Sequence, residues 1–170
     1  ALRERAGHKV ALGVAQRYVN EFDKASGQSL IFCGGVGAGK THLAVGIAHE
    51  LIERQCLCIF TSVIGAIRSV KETYSRNSDA TERQALDALI KPDLLILDEV
   101  GVQFGSDAEK LILFEIINGR YENMKSTIVI SNLAMDTLSD YLGERVVDRL
   151  REGGGKMVVF DWPSYRRQAA

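Results

Sequence analysis

A chain of 170 residues, 46% of them hydrophobic and 25% charged, can bury one substantial core, so a single globular domain is expected. The formal net charge of −1 excludes a uniformly basic nucleic-acid binder, and any such surface has to be a local patch. No apolar run approaches the roughly 20 residues of a bilayer-spanning helix, and nothing at the start resembles a secretory leader, so no membrane partner is expected.

Residues 8–24 are expected to form an amphipathic packing helix, with Val10, Val14, Tyr18, Val19 and Phe22 toward one side, broken at Gly27. Residues 29–33 read as a short buried strand. The next eight, Gly34-Gly35-Val36-Gly37-Ala38-Gly39-Lys40-Thr41, fit the phosphate-loop pattern G-x-x-x-x-G-K-[ST] at every fixed position. Residues 42–52 then carry apolar side chains at helical spacing. Strand, glycine turn and helix together give the motif its mechanism. The glycines let successive N–H groups point inward as a nest, and the helix N-terminus adds its dipole. Lys40 is expected to reach the β/γ-phosphates and Thr41 to ligate Mg²⁺. Gly35, Val36, Gly37, Ala38, Gly39, Lys40, Thr41 and His42 are the expected nucleotide contacts. Gly-rich turns also close strand–helix units that bind nothing, but Lys-Thr with both flanks in place favours the phosphate site.

A second strand is expected over residues 56–61, and residues 63–74 interleave apolar and basic side chains at helical spacing. Ser78-Asp79 offers a cap for a helix over 80–90, which Lys91-Pro92-Asp93 stops. Cys33, Cys56 and Cys58 complete no zinc set and read as small buried thiols in a reducing cytosol. Residues 94–97 form a continuous apolar run, as a central parallel strand covered on both faces requires, and deliver Asp98-Glu99. A helix over 106–122 with Leu111, Leu113, Phe114 and Ile117 among its apolar positions comes next. It is followed by a strand over 126–130 ending in Ser131-Asn132. Two short helices over 134–141 and 143–151, a glycine turn at 153–155 and a last strand over 156–160 complete the chain. Strands alternating with helices imply an α/β fold, a parallel five-stranded sheet sandwiched by helices.

An open parallel sheet binds its ligand beyond the C-terminal ends of its strands, and three strand ends here carry polar signals. Asp98 suits the Mg²⁺ shell and Glu99 the polarisation of an attacking water. Asn132 suits orienting that water, or is simply a turn residue. Arg145 and Arg149 share a helix face near Asp148. They form either a solvated charged face or an arginine supplied to a neighbouring subunit's nucleotide. Arg68, Lys71 and Tyr74, each three apart, form a stripe with Arg76 just beyond, suited to single-stranded DNA or to a plain solvated face.

Together these segments resemble the AAA+ ATPase domain of bacterial or phage DnaC-type replicative helicase loaders. The segments are residues 34–41, the run 94–99 with Gly101-Val102-Gln103, Ser131-Asn132, Leu142-Gly143-Glu144-Arg145-Val146-Val147-Asp148-Arg149, and Asp161-Trp162-Pro163-Ser164-Tyr165-Arg166. The IstB-type transposition helper ATPases share most of them. The resemblance implies an AAA+ P-loop NTPase with an absent or reduced helical lid, using ATP/ADP and Mg²⁺. Lys40 and Thr41 would be Walker A, Asp98 and Glu99 Walker B, and Asn132 sensor 1. Arg149 matches the arginine finger, with Arg145 one turn earlier, and Arg166 stands at the sensor 2 position. It also implies a cytoplasmic protein that forms a homo-oligomer or helical filament through its ATP site, binds single-stranded DNA and contacts the replicative helicase through an N-terminal domain outside this sequence. A P-loop small-molecule kinase and a non-catalytic nucleotide-binding assembly module are the alternatives.

Overall fold

Five short strands, nearly all apolar, pair in parallel in the order β2-β3-β4-β1-β5. They are β1 (Leu30–Gly34), β2 (Cys58–Ser62), β3 (Leu94–Asp98), β4 (Ser126–Ile130) and β5 (Lys156–Phe160). The structure is a computed structural model that describes residues 2–101 and 106–164. Between the strands run α1 (Leu2–Asn20), α2 (Lys40–Glu53), α3 (Val63–Lys71), α4 (Glu82–Ile90), α5 (Asp107–Glu122), α6 (Met135–Leu142) and α7 (Glu144–Arg151). Single 3₁₀ turns follow α3 at Glu72–Tyr74 and α7 at Glu152–Gly154. Among the described residues no helical lid follows β5.

Alternation along the strands splits the core in two. Leu30, Phe32, Leu94, Ile96, Ile128 and Ile130 face α1 and α2. Ile31, Cys33, Leu95, Leu97 and Val129 face α3, α5, α6 and α7 on the other side. Both faces are covered, which is why these strands carry no polar alternation. The three cysteines are free; Cys56 and Cys58 join the same core layer, and burial pushes the Cys58 thiol up to about 11.

Helix α1 stops at Asn20, short of residue 24, and packs through Ala11, Ala15, Tyr18 and Val19. Val10, expected on the core side, is 63% exposed. The true stripe runs i, i+4, i+7, i+8 through two alanines, whose small side chains permit close packing but carry little hydrophobic signal. The cap of α4 is also corrected. Thr81, not Ser78-Asp79, accepts from the Gln84 backbone N–H at 3.2 Å in a reciprocal capping box, so the helix starts at Glu82.

Arg120 on α5 is fully buried, which nothing beside it in the sequence announces. Its guanidinium donates to the carbonyls of Leu89 (2.7 Å), Ile90 (3.0 Å) and Ser126 (2.5 Å) and to the Thr127 hydroxyl (3.0 Å). It thus ties the end of α4 to the start of β4, and burial pushes its pKa down to about 10. Arg120→Met is expected to strand these carbonyls and cost about 3–5 kcal/mol. A urea melt checks this, and a loss below about 1 kcal/mol would show the clamp to be dispensable.

Candidate nucleotide site

The glycine loop leaves the C-terminal end of β1 and enters α2 directly. Gly34 (φ 124°) lies so close to the Phe160 carbonyl that no side chain fits there, and Gly39 (φ 93°) opens the helix in a left-handed conformation. Lys40 is 4% exposed, and its ammonium donates to the carbonyls of Gly34 (2.9 Å) and Gly35 (2.6 Å). Burial pushes its pKa below the ordinary lysine value, while the nearby Asp98 carboxylate opposes that shift. The lysine is therefore folded back on its own loop, next to where phosphates would lie.

At the end of β3, Asp98 accepts from the Thr41 hydroxyl (2.8 Å) and from the Glu99 backbone N–H (2.7 Å). Glu99 is exposed and left-handed at φ 61°, an uncommon conformation for glutamate that turns the chain sharply off the strand. That turn is laced to β4. The Val100 N–H donates to the Ile130 carbonyl (2.9 Å), and the buried Ser131 hydroxyl donates to the Val100 carbonyl (2.6 Å) while accepting from the Leu133 N–H (3.1 Å). Asn132, exposed, is fixed between these contacts.

Val36, Gly37, Ala38, Gly39, Lys40, Thr41, His42, Asp98, Glu99 and Asn132 thus line one cavity of about 650 Å³, large enough for a nucleotide. Gly35 does not line it, and its N–H donates to the Phe160 carbonyl at 3.2 Å. The paired Thr41 hydroxyl and Asp98 carboxylate are hard oxygen donors of the kind Mg²⁺ takes, so the site fits that ion.

The remaining predicted residues lie elsewhere. Arg149 stands outside this cavity, its guanidinium 5.2 Å from the Phe114 ring centre and 5.4 Å from that of Tyr121. Arg145 is exposed on the same helix. Arg166 falls outside the described residues, as do Val102 and Gln103. Arg68 and Lys71 line a separate cavity of about 430 Å³ between α3 and the Glu99 turn. Lys71 pairs with Glu109 (3.0 Å), the Tyr74 hydroxyl donates to Glu82 (2.7 Å), and Arg68 has no ion pair among the described residues. α3 ends at Lys71, so Tyr74 lies not on the helix with Arg68 and Lys71 but at the end of the 3₁₀ turn that follows. Arg76 is exposed in the turn beyond. Sequence reasoning missed Trp162, whose indole N–H donates to the Ala38 carbonyl at 2.9 Å. A tryptophan two residues past the last strand was its signal.

Sheet order, glycine loop and the two carboxylates define an AAA+ P-loop ATP-binding domain. The family model described as IstB-like ATP binding protein matches residues 5–169, and the chain belongs to that family. It is 40% identical over 163 residues to the replicative helicase loader DnaC of Escherichia coli (strain K12), covering 96% of this chain and 66% of that relative's length. The chain thus spans just under two thirds of the curated relative. A crystal structure of the DnaC helicase loader superposes with a TM-score of 0.81 at 28% identity, covering 90% of this chain and 89% of that one. AMPPCP-bound DnaA from Aquifex aeolicus gives a TM-score of 0.74 at 25% identity over 90% of this chain and 46% of that one. Among the described residues no helix is long and apolar enough to cross a membrane.

Proposed function

We propose that this domain hydrolyses ATP and, through assembly at its nucleotide site, helps place a replicative helicase on DNA in the cytoplasm during replication initiation. The observation that carries the chemistry is the convergence of Lys40, Thr41, Asp98, Glu99 and Asn132 on one cavity. In this reading the Lys40 ammonium leaves the Gly34 and Gly35 carbonyls for the β- and γ-phosphates, exchanging two neutral acceptors for anionic ones. Thr41 and Asp98 would hold Mg²⁺, which when bound neutralises charge on the phosphate oxygens. The exposed Glu99 carboxylate accepts the proton of the attacking water, and the Asn132 amide orients that water. Arg149 serves as the finger for the neighbouring copy, a role that its position outside its own cavity supports. The helicase contact belongs to a further N-terminal domain. The IstB-like family model equally supports a transposition helper; capture of a replicative helicase rather than a transposase by the full-length protein would decide between the two.

Lys40→Ala is expected to abolish ATP binding, whereas Glu99→Gln keeps binding and loses turnover. Calorimetry and phosphate release measure the two. Turnover at the wild-type rate in Glu99→Gln would refute the role given to that carboxylate and favour the non-catalytic assembly module.

The α3 stripe supports single-stranded DNA as a second ligand. Since Lys71 and Tyr74 are already engaged by Glu109 and Glu82, Arg68 is the most available phosphate contact. Arg68→Ala is expected to lower the salt-dependence slope of single-stranded DNA binding by about one unit. Tyr74→Ala is expected to weaken binding by about 1–3 kcal/mol. Fluorescence anisotropy at several salt concentrations, with ATP present, checks both, and an unchanged affinity and slope would leave the stripe as plain surface.

A further inference from the structure

The chain beyond β5 runs beneath the glycine loop. Ser164 closes on Gly37 so tightly that a side chain there would overlap it, and the Trp162 indole N–H donates to the Ala38 carbonyl. Trp162 is 6% exposed and is the one tryptophan in the chain. In a planar trans peptide the carbonyl and the following N–H point in opposite directions. Holding the Ala38 carbonyl against Trp162 therefore turns the Gly39 N–H the other way, and Gly39 lines the nucleotide cavity. Gly39 has no side chain to resist rotation of that peptide, so the indole bond supplies the restraint that the local sequence lacks.

The same indole is packed by the N-terminal helix. The His8 ring lies 4.5 Å from it at 70°, and Phe160 lies at 4.8 Å. Gly7 meets the face of the ring so closely that an added Cβ would sit 2.8 Å from Trp162 Cε3. A continuous path of contacts thus runs from α1 through Trp162 to the phosphate loop.

We infer that Trp162 is a positioning residue for nucleotide binding: its N–H sets the Ala38–Gly39 peptide, and α1 sets Trp162. The inference rests on the glycine loop being the nucleotide site. With a single tryptophan, growth in a tryptophan auxotroph replaces Trp162 alone with benzothienylalanine, an isostere that carries sulfur in place of the N–H. This replacement is expected to raise the ATP dissociation constant in calorimetry about tenfold, the scale of one net hydrogen bond. Gly7→Ala, which touches nothing in the cavity, is expected to raise it in the same direction and to shift the Trp162 emission of the nucleotide-free protein. Wild-type emission is expected to change on saturation with ATP and to stay unchanged in Lys40→Ala, a readout that packing alone would not produce. ATP binding within twofold of wild type in the isostere overturns the inference. Should the isostere fail to fold, Gly7→Ala decides, and unaltered emission and affinity there overturn it. Absence of ATP binding in the wild type would instead overturn the nucleotide-site reading itself.

Discussion

The hydrogen bond from Thr41 to Asp98 joins two segments that the sheet keeps one strand apart. Thr41 stands at the start of the helix after β1, Asp98 ends β3, and β4 lies between them. For the bond to form, the three strands must end in step, as their register provides: Leu30 is opposite Ile128, and Ile96 is opposite the same residue from the other side. Backbone bonds then continue the lacing at the edge, from Ser131 N–H to the Phe32 carbonyl and from Val100 N–H to the Ile130 carbonyl. A one-residue slip of β1, β3 or β4 would send its side chains into the opposite core layer and would also separate the phosphate loop from its carboxylates. Core packing and site geometry are thus one constraint.

What was legible in the sequence was local. The loop, Asp98-Glu99 and Ser131-Asn132 are each marked by adjacent residues, and residues from all three line one cavity; the glycine turn at 153–155 bounds β5. What escaped depended on neighbours far away in the chain. Arg120 is buried because α4 and β4 present bare carbonyls to it, and nothing beside it in sequence announces them. Trp162 reaches a loop more than a hundred residues earlier. In α1 the large apolar Val10 outweighed Ala11 as a hydrophobic signal, although the close approach to the sheet favours the smaller side chain. At α4 the cap is Thr81 rather than Ser78-Asp79, because Gln84 is in reach of Thr81 to complete a reciprocal box.

Glu99 borders two cavities, the nucleotide cavity and the one that Arg68 and Lys71 share. The basic stripe and Glu99 are therefore neighbours in space, although some thirty residues of chain and a whole helix separate them. Arg149, by contrast, is held on two aromatic faces of α5, outside the cavity of its own chain. Two ring faces restrict the rotamers of that guanidinium, so its position is ordered.

In the proposed function Thr41 and Asp98 together form the metal-binding corner of an ATP site. Replacing Mg²⁺ with Mn²⁺ makes that corner visible to electron paramagnetic resonance in the presence of a non-hydrolysable ATP analogue. One nucleotide-dependent Mn²⁺ per chain is expected, with affinity reduced about tenfold or more in both Thr41→Ala and Asp98→Ala. Mn²⁺ binding unchanged in both variants would contradict that assignment.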